Sequence, residues 1–175
     1  MNVKALDIAD TASYRALMLD AYASDADAFT STPAERSTEP LSWWQKRVCD
    51  PDGSSQAFGA FDDERLVGAV AIEYSSRFKV RHKASIVGMI VTATCRQRGA
   101  GRDLIAAALD HARARSGIEV ITLTVTDDNL SAIRLYEEAG FTRFGVEKMA
   151  IFTGTGYKSK VHMQLLLSAA RTITR

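Results

Sequence analysis

The stretch SIVGMIVTATCRQRGAG, residues 85–101, decides the fold of this chain. Its apolar run, residues 86–91, is typical of a buried strand, and the basic turn RQRGAG, residues 96–101, follows it. Glycines let a backbone approach a ligand closely, and the first N–H groups of a helix have no partner within it. The order strand, glycine turn, helix therefore predicts an anion site. The apolar face of the predicted helix carries Leu104, Ile105, Ala108, Leu109 and Ala112.

A solvated turn without a ligand is the alternative interpretation of this segment. Its place between a strand and an amphipathic helix favours the anion site. Two familiar phosphate loops are excluded. The pattern G-x-G-x-x-G fails because Leu104 stands where a third glycine is needed, and G-x-x-x-x-G-K-[ST] does not occur in the chain.

The composition is typical of a soluble globular protein. The 175 residues, 46% hydrophobic and 25% charged, suffice for one domain with a sizeable core. A formal net charge of +1 predicts no nucleic-acid partner, and the lack of long apolar runs predicts no membrane span and no secretion signal. Cys49 and Cys95 are far apart and no Cys/His metal spacing occurs, so we expect a cytoplasmic location, no disulfide framework and no metal.

The periodicities predict an alternation of strands and helices along the rest of the chain. A strand, residues 120–125, follows the crossover helix at residues 102–116, and this order predicts a parallel pair. We therefore expect an α/β (α+β) fold in one domain, residues 1–168, with residues 169–175 as a C-terminal tail. The other predicted elements are a strand at 3–8, a helix capped by Asp10 or Thr11, a loop at 23–40, a short helix with Leu41, Trp44 and Val48, a hairpin of 55–61 and 65–72 around Asp62-Asp63-Glu64, a helix at 129–139, and strands at 141–151 and 157–167.

A second motif, Asn129-x-x-Ala132-x-x-x-Tyr136-x-x-x-Gly140-Phe141, comes after the second parallel strand. The first motif reads Val91, four residues, then Arg96-x-x-Gly99-x-Gly101. In this order the two resemble the coenzyme A pyrophosphate turn and the following block of the GNAT superfamily of acetyl-CoA-dependent N-acetyltransferases. The resemblance covers residues 65–141 well and residues 1–60 in general layout. It implies the GNAT fold: a central, mixed, mostly antiparallel, twisted sheet of about seven strands with a parallel central pair, flanked by about four helices.

The resemblance also implies acetyl-CoA as the acetyl donor and assigns residues to it. The backbone of residues 89–91 would pair with the pantetheine arm like an added strand, the amides of residues 97–102 would hold the pyrophosphate, and Asn129 would contact the pantetheine or brace the loop. The implied cofactor-binding residues are Met89, Ile90, Val91, Arg96, Gln97, Arg98, Gly99, Ala100, Gly101, Arg102, Asn129, Ala132 and Tyr136.

Acetyl transfer to an amine needs a proton acceptor and a proton donor. A lysine-like amine has a pKa of about 10.4 and must lose a proton before it reacts. The resemblance assigns Tyr136 as the general acid, since a phenol with a pKa of about 10 is protonated at neutral pH; a tyrosine that only packs its helix is the alternative. Glu73 and His82 are candidate bases, and a water relay is a third option. Cys95 lacks a base partner and is interpreted as a small apolar residue.

The resemblance also implies that the first two helices and their loop line the acceptor pocket, which makes Phe29, Trp43 and Trp44 candidate walls, with ordinary core packing as the alternative. The predicted acceptor is a primary amine of a small molecule or of a peptide or protein, and a small molecule is preferred. A non-catalytic acyl-CoA-binding regulatory module and a nucleotide-binding α/β protein are the alternative functions. A homodimer is a candidate assembly.

Overall fold

The computed structural model describes residues 1–167, which form a seven-stranded sheet and five α-helices. The tail predicted for residues 169–175, and the domain end predicted at residue 168, lie outside the described residues. The strands are β1 Asn2–Ala5, β2 Ser55–Asp62, β3 Arg65–Tyr74, β4 Lys83–Val91, β5 Val120–Thr126, β6 Thr142–Phe152 and β7 Tyr157–Leu166. The helices are α1 Thr11–Ser24, α2 Pro33–Ser37, α3 Leu41–Val48, α4 Ala100–Ala114 and α5 Leu130–Glu138.

The sheet has the strand order β1-β2-β3-β4-β5-β7-β6. Strands β4 and β5 run parallel, and the other neighbouring strands are antiparallel. The predicted mixed, mostly antiparallel sheet with a parallel central pair is therefore confirmed. The single-turn helix α2 brings the number of helices in the described chain to five, where about four were expected.

The two parallel strands separate partway along their length. Their pairing joins residues 83–85 to residues 120–122 and stops there, although β4 continues to Val91 and β5 to Thr126. A bulge bends β4 beyond this point: Ala69 of β3 lies opposite Ile90, Ala71 lies opposite Val87, and Gly88 between them has φ of 62°. The bend directs β4 away from β5 and leaves an opening between the strands.

Helices cover both faces of the sheet. Strand side chains alternate between the faces, so each strand contributes to two cores. Helices α1 and α3 pack on one face through Tyr14, Met18, Trp44 and others, and helices α4 and α5 pack on the opposite face. The apolar face predicted for α4 is buried, with Leu104, Ile105, Ala108, Leu109 and Ala112 each less than 5% exposed.

Several predicted boundaries are wrong for local reasons. Strand β1 ends at Ala5 because Asp7 accepts a hydrogen bond from the Ala9 amide at 2.8 Å and starts a 3₁₀ turn. The predicted loop at 23–40 contains α2, whose Thr32 and Glu35 cap each other reciprocally. Helix α4 begins at Ala100, two residues before the predicted start, because Gly99 is its N-cap.

A contact between Tyr74 and His111 fixes α4 against the end of β3. The Tyr74 hydroxyl lies 2.7 Å from His111 Nδ1. Burial, and then the charge of Arg115, lowers the pKa of His111 below its usual value. The folded protein therefore favours the neutral form of His111. The stability that this preference adds is complete above the unfolded-state pKa of about 6.5 and decreases as the pH falls from there towards the lower folded-state pKa.

We expect the urea midpoint of the wild-type protein to fall more than that of His111→Gln when the pH is lowered from about 7.5 to about 5.5. The glutamine has no charge to gain, so this variant lacks the proton-linked loss while its amide can still bond Tyr74. Equal falls of the urea midpoint in the two proteins would contradict the assignment of this pH dependence to His111.

Candidate functional site

A cleft of about 1120 Å³ lies at the opening between β4 and β5. Its walls come from the end of α1 and the segment after it, the end of β4, the turn before α4, and the first turns of α5. Of the residues predicted to bind a cofactor, those that line the cleft are Met89, Ile90, Val91, Arg96, Gln97, Gly99, Gly101, Arg102, Asn129 and Ala132. Most of the predicted set is therefore brought together in one cavity.

The turn before α4 has the backbone of an anion-binding loop. Gln97 has φ of 61° and Gly99, the N-cap of α4, has φ of 88°. Left-handed residues in such a turn orient successive N–H groups to one side, where the first free amides of the helix also point. Gly101 leaves room for two side chains that line the cleft, since a Cβ there would lie 3.2 Å from Leu135 Cδ2 and 3.4 Å from Met89 Cε. The turn thus offers an exposed, close approach to backbone donors.

The three arginines of the turn differ in their contacts. Arg102 lines the cleft and is highly exposed, with Glu138 3.9 Å away. Arg96 also lines the cleft, but its guanidinium is bound to the Val91 carbonyl at 3.0 Å and to Asp25. Arg98 contacts Asp62 at 3.1 Å and does not line the cleft. Arg102 is therefore the arginine of the turn that is best placed for a new anion.

Asn129 holds the start of α5 at the cleft. Its Oδ1 accepts hydrogen bonds from the Ala132 amide and from the Ser131 hydroxyl, both at 3.1 Å, so it is the N-cap of α5. The motif implies that Asn129 contacts the pantetheine or braces the loop, and the cap is an observed contact of this residue beside which both roles stay predictions. Ala132 presents a small side chain to the cleft beside it.

Tyr136 is buried in the core on α5, the helix that borders the cleft. Its side chain is 5% exposed and packs edge-to-face against Phe141, with ring centroids 6.1 Å apart. Burial raises the pKa of the phenol above its usual value. The neighbouring residue Leu135 lines the cleft, whereas Tyr136 does not. The phenol is therefore protonated at neutral pH, and it belongs to the core on the side of α4 and α5.

The two candidate bases lie towards the other end of β4. Glu73 is opposite Ser85, the last residue of β4 that pairs with β5, and its carboxylate is ion-paired with Arg47. His82 precedes β4, and its carbonyl accepts hydrogen bonds from the Glu119 and Val120 amides. Neither side chain lines the cleft. Glu73 is the closer of the two, in register, to the point where the strands separate.

The three candidate substrate aromatics occupy three different places. Phe29 lines the cleft and packs edge-to-face on Tyr22, with ring centroids 5.0 Å apart. Trp43 lines a second cavity of about 430 Å³, which it shares with Arg47 and Glu73. Trp44 is fully buried in the core under α1, so the proposed substrate wall at this residue is corrected to a packing role.

The sequence interpretation missed a group of charged residues at the cleft mouth. Asp25, Asp27 and Asp128 line the cleft, and Lys158 lies between two of them, 2.8 Å from Asp27 and 2.6 Å from Asp128. These residues come from three separate segments, and no spacing pattern connects them in the sequence. Only their folded positions reveal the cluster.

Within residues 1–167, no set of three or more His, Cys, Asp or Glu side chains is grouped as a metal site. In the same part of the chain, the helices are too short or too polar to cross a membrane.

Comparison with known proteins finds acetyltransferases that are similar in sequence to part of this chain. A mycothiol acetyltransferase of Streptosporangium roseum is 51% identical over 51 residues, which are 29% of this chain and 15% of that protein. A streptothricin acetyltransferase of Escherichia coli is 36% identical over 118 residues, 65% of this chain and 64% of that protein. The chain thus spans less than two thirds of the length of these relatives.

A solved protein from Salmonella typhimurium, determined with its cofactor acetyl-CoA, has the same fold, with a TM-score of 0.81 and 21% identity over 99% of this chain and 98% of that one. The acetyltransferase (GNAT) family profile matches residues 15–141, more than half of the chain and the part that contains both motifs and the cleft. The chain therefore belongs to the GNAT acetyltransferase family.

Proposed function

We propose that the protein is an N-acetyltransferase that moves the acetyl group of acetyl-CoA directly to a primary amine. The observation that carries the proposal is the cleft between the separated ends of β4 and β5, with the left-handed turn of Gln97 and Gly99 at its mouth. Family membership supports the same activity. A cytoplasmic location is part of the proposal, supported by Cys49 and Cys95 both being free thiols.

The residues of the cleft fit coenzyme A. A diphosphate needs backbone donors and positive charge, which the turn and Arg102 supply. Gly99 adds no side chain to the approach to those donors, and the nearest atom to a Cβ there would be Asp103 Oδ2 at 4.0 Å. Residues 89–91 of β4, which line the cleft beyond the pairing with β5, offer a strand edge to an extended arm.

When bound, acetyl-CoA supplies a thioester-activated acetyl group. The residues of the chain would position the acetyl group and the amine, and they would move the protons of the reaction. A backbone N–H of residues 89–91 would stabilise negative charge on the acetyl oxygen. Tyr136 holds a proton on its phenol oxygen and would donate a hydrogen bond to the leaving sulfur. Glu73, held by Arg47 opposite Ser85, would take the proton of the ammonium through water.

A small-molecule amine is the proposed class of acceptor. Two of the relatives carry the name of a low-molecular-weight compound, streptothricin or mycothiol. Phe29 on the cleft wall would contact the acceptor. The homodimer stays a prediction.

A screen of amines tests the function. The purified protein is mixed with acetyl-CoA and with panels of amino acids, aminoglycoside-like amines, polyamines and peptides, and free thiol is measured. We expect thiol release above the amine-free rate and an acetylated product of the matching mass for at least one class. Binding of coenzyme A without transfer to any amine would support the regulatory module instead, and thermal stabilisation by ATP or NAD but not by coenzyme A would support a nucleotide-binding protein.

Two arginines of the turn provide a matched pair for the cofactor assignment. Arg102→Ala removes an exposed, weakly paired guanidinium at the cleft, so we expect coenzyme A to bind about three- to tenfold more weakly, with the loss shrinking at high salt. Arg98→Ala removes a guanidinium that is paired with Asp62 outside the cleft, so its Kd should stay within about twofold of wild type. Titration calorimetry at two salt concentrations measures both. Equal losses would contradict the assignment of Arg102.

A further inference from the structure

A short segment after α1 forms one wall of the cleft. We call residues 25–29 the strap. A 3₁₀ turn at Ala26–Ala28 shapes it, with the Ala28 amide bonded to the Asp25 carbonyl at 2.8 Å. Every residue of the strap lines the cleft, and it ends in Phe29. The strap is therefore a surface that a ligand in the cleft would meet along its length.

The first end of the strap is bound to the β4 side of the opening. The two carboxylate oxygens of Asp25 lie 2.8 and 3.0 Å from Arg96 Nη2. Arg96 Nε donates at the same time to the Val91 carbonyl at 3.0 Å. Asp25 is thus connected through one guanidinium to the last residue of β4.

The second contact binds the strap to the β5 side. Lys158 Nζ, on β7, lies 2.8 Å from an Asp27 oxygen and 2.6 Å from an Asp128 oxygen. Asp128 follows β5 and belongs to the loop that leads into α5. One ammonium therefore links the strap to the loop that closes the other side of the cleft.

The two ion pairs together hold the strap across the gap between the parallel strands. We propose that Asp25 and Asp27 are positioning residues that fix the strap as a shield, keeping water from the thioester while the amine site is empty. This inference rests on the proposed function. Ion pairs at such partly exposed sites add little to global stability, so their effect falls on the local position of the segment they hold. Exclusion of water from a reactive group is a recognised effect of such closed walls.

The side reaction that the strap suppresses is hydrolysis. Water adds to the acetyl carbonyl carbon, the carbon–sulfur bond breaks, and acetate and the thiol of coenzyme A are released. The water supplies one proton to the sulfur and the other to the solvent as acetic acid ionises. No co-reactant besides water is needed, and the rate can be measured without any amine.

The variants Asp25→Asn, Asp27→Asn and their combination test the proposal in two independent ways. In the ligand-free protein we expect backbone amides 25–29 to exchange hydrogen at least about threefold faster in each single variant, and faster again in the double variant. In the double variant, amine-free hydrolysis of acetyl-CoA should have a kcat at least about threefold higher, and KM should not rise, because the variants remove no cation and no backbone donor from the turn at 96–102. The single variant Asp25→Glu keeps the carboxylate, so its hydrogen exchange and its hydrolysis rate should both stay close to those of wild type.

Asp110→Asn is the matched control. It removes the same charge and an aspartate–arginine pair of similar length, with Arg113 at 3.0 Å on α4, at a site that does not line the cleft. If the strap variants match Asp110→Asn in the hydrogen exchange of amides 25–29 and in the rate of acetyl-CoA hydrolysis, the inference is wrong even though the enzyme is active. If wild type neither binds acetyl-CoA nor acetylates an amine, the proposed function fails first, and the exchange measurement still shows whether Asp25 and Asp27 hold the strap.

Discussion

Replacing Gly99 with valine is expected to raise the KM for acetyl-CoA by roughly 100-fold in a protein that remains folded. Hydrogen bonds to a charged group are each worth about 1.5–3 kcal/mol, and the loss of one or two of them accounts for this factor. Gly99 has φ of 88°, a conformation that a β-branched residue adopts only under strain. Valine would therefore either distort the turn or place its methyl groups where the phosphate oxygens approach the amides.

Gly117→Val controls for the strain alone. Gly117 follows the other end of α4, has φ of 84°, and a Cβ there meets nothing within 4 Å, much as at Gly99, where the nearest atom lies at 4.0 Å. Both variants should lose a similar amount of stability, about 1–3 kcal/mol in urea unfolding. Only Gly99→Val should change the KM for acetyl-CoA and the Kd of coenzyme A. A Gly99→Val enzyme with the KM of the Gly117→Val enzyme would contradict the phosphate assignment.

The centre of the molecule was predictable because local signals and global packing agree there. The apolar run before the turn, the glycines and the period of Leu104, Ile105 and Ala108 each indicate the same strand–turn–helix unit, and the structure contains it. The motif that ends in Gly140-Phe141 likewise corresponds to α5 and the start of β6. A segment can be predicted from sequence where its local propensities and its packing in the fold agree in this way.

Other features had a local signal that the sequence interpretation passed over. Thr32 and Glu35, with Pro33 between them, form the S/T-x-x-E pattern of a helix start, and α2 begins there. Gly88 inside an apolar run is the mark of a bulge, which the structure shows with its positive φ. The first signal lies in the polar segment 23–40, which is interpreted as a loop, and the second lies in the apolar run 86–91, which is interpreted as a regular strand.

The charged contacts at the cleft mouth could not be predicted from spacing. Asp25 and Arg96 are 71 residues apart, and Lys158 meets Asp128 from a different strand. These pairs depend on how far β4 and β5 separate and on the path of the chain after α1, which no periodicity specifies. Trp44 shows the converse limit, since the sequence could not distinguish a buried tryptophan from one that faces a pocket.

Tyr136→Phe is expected to lower kcat by about 10- to 100-fold and to leave the KM for acetyl-CoA within about threefold. The departing thiol has a pKa of about 8.5, well below that of the phenol, so complete proton transfer from Tyr136 is unfavourable. The phenol would act instead by donating a hydrogen bond to the sulfur as charge develops on it. The loss therefore corresponds to one charge-assisted hydrogen bond, about 1.5–3 kcal/mol.

The shape of phenylalanine makes the outcome decisive for Tyr136. The ring keeps its contact with Phe141, so the variant should fold. Its kcat should fall equally across neutral and mildly basic pH, because burial raises the pKa of the wild-type phenol and the phenol keeps its proton over that range. Tyr157→Phe, at an exposed tyrosine on β7, controls for the loss of a hydroxyl elsewhere. Since Tyr136 is only 5% exposed and does not line the cleft, a kcat equal to that of Tyr157→Phe would show that the residue packs the core and that another group donates to the sulfur.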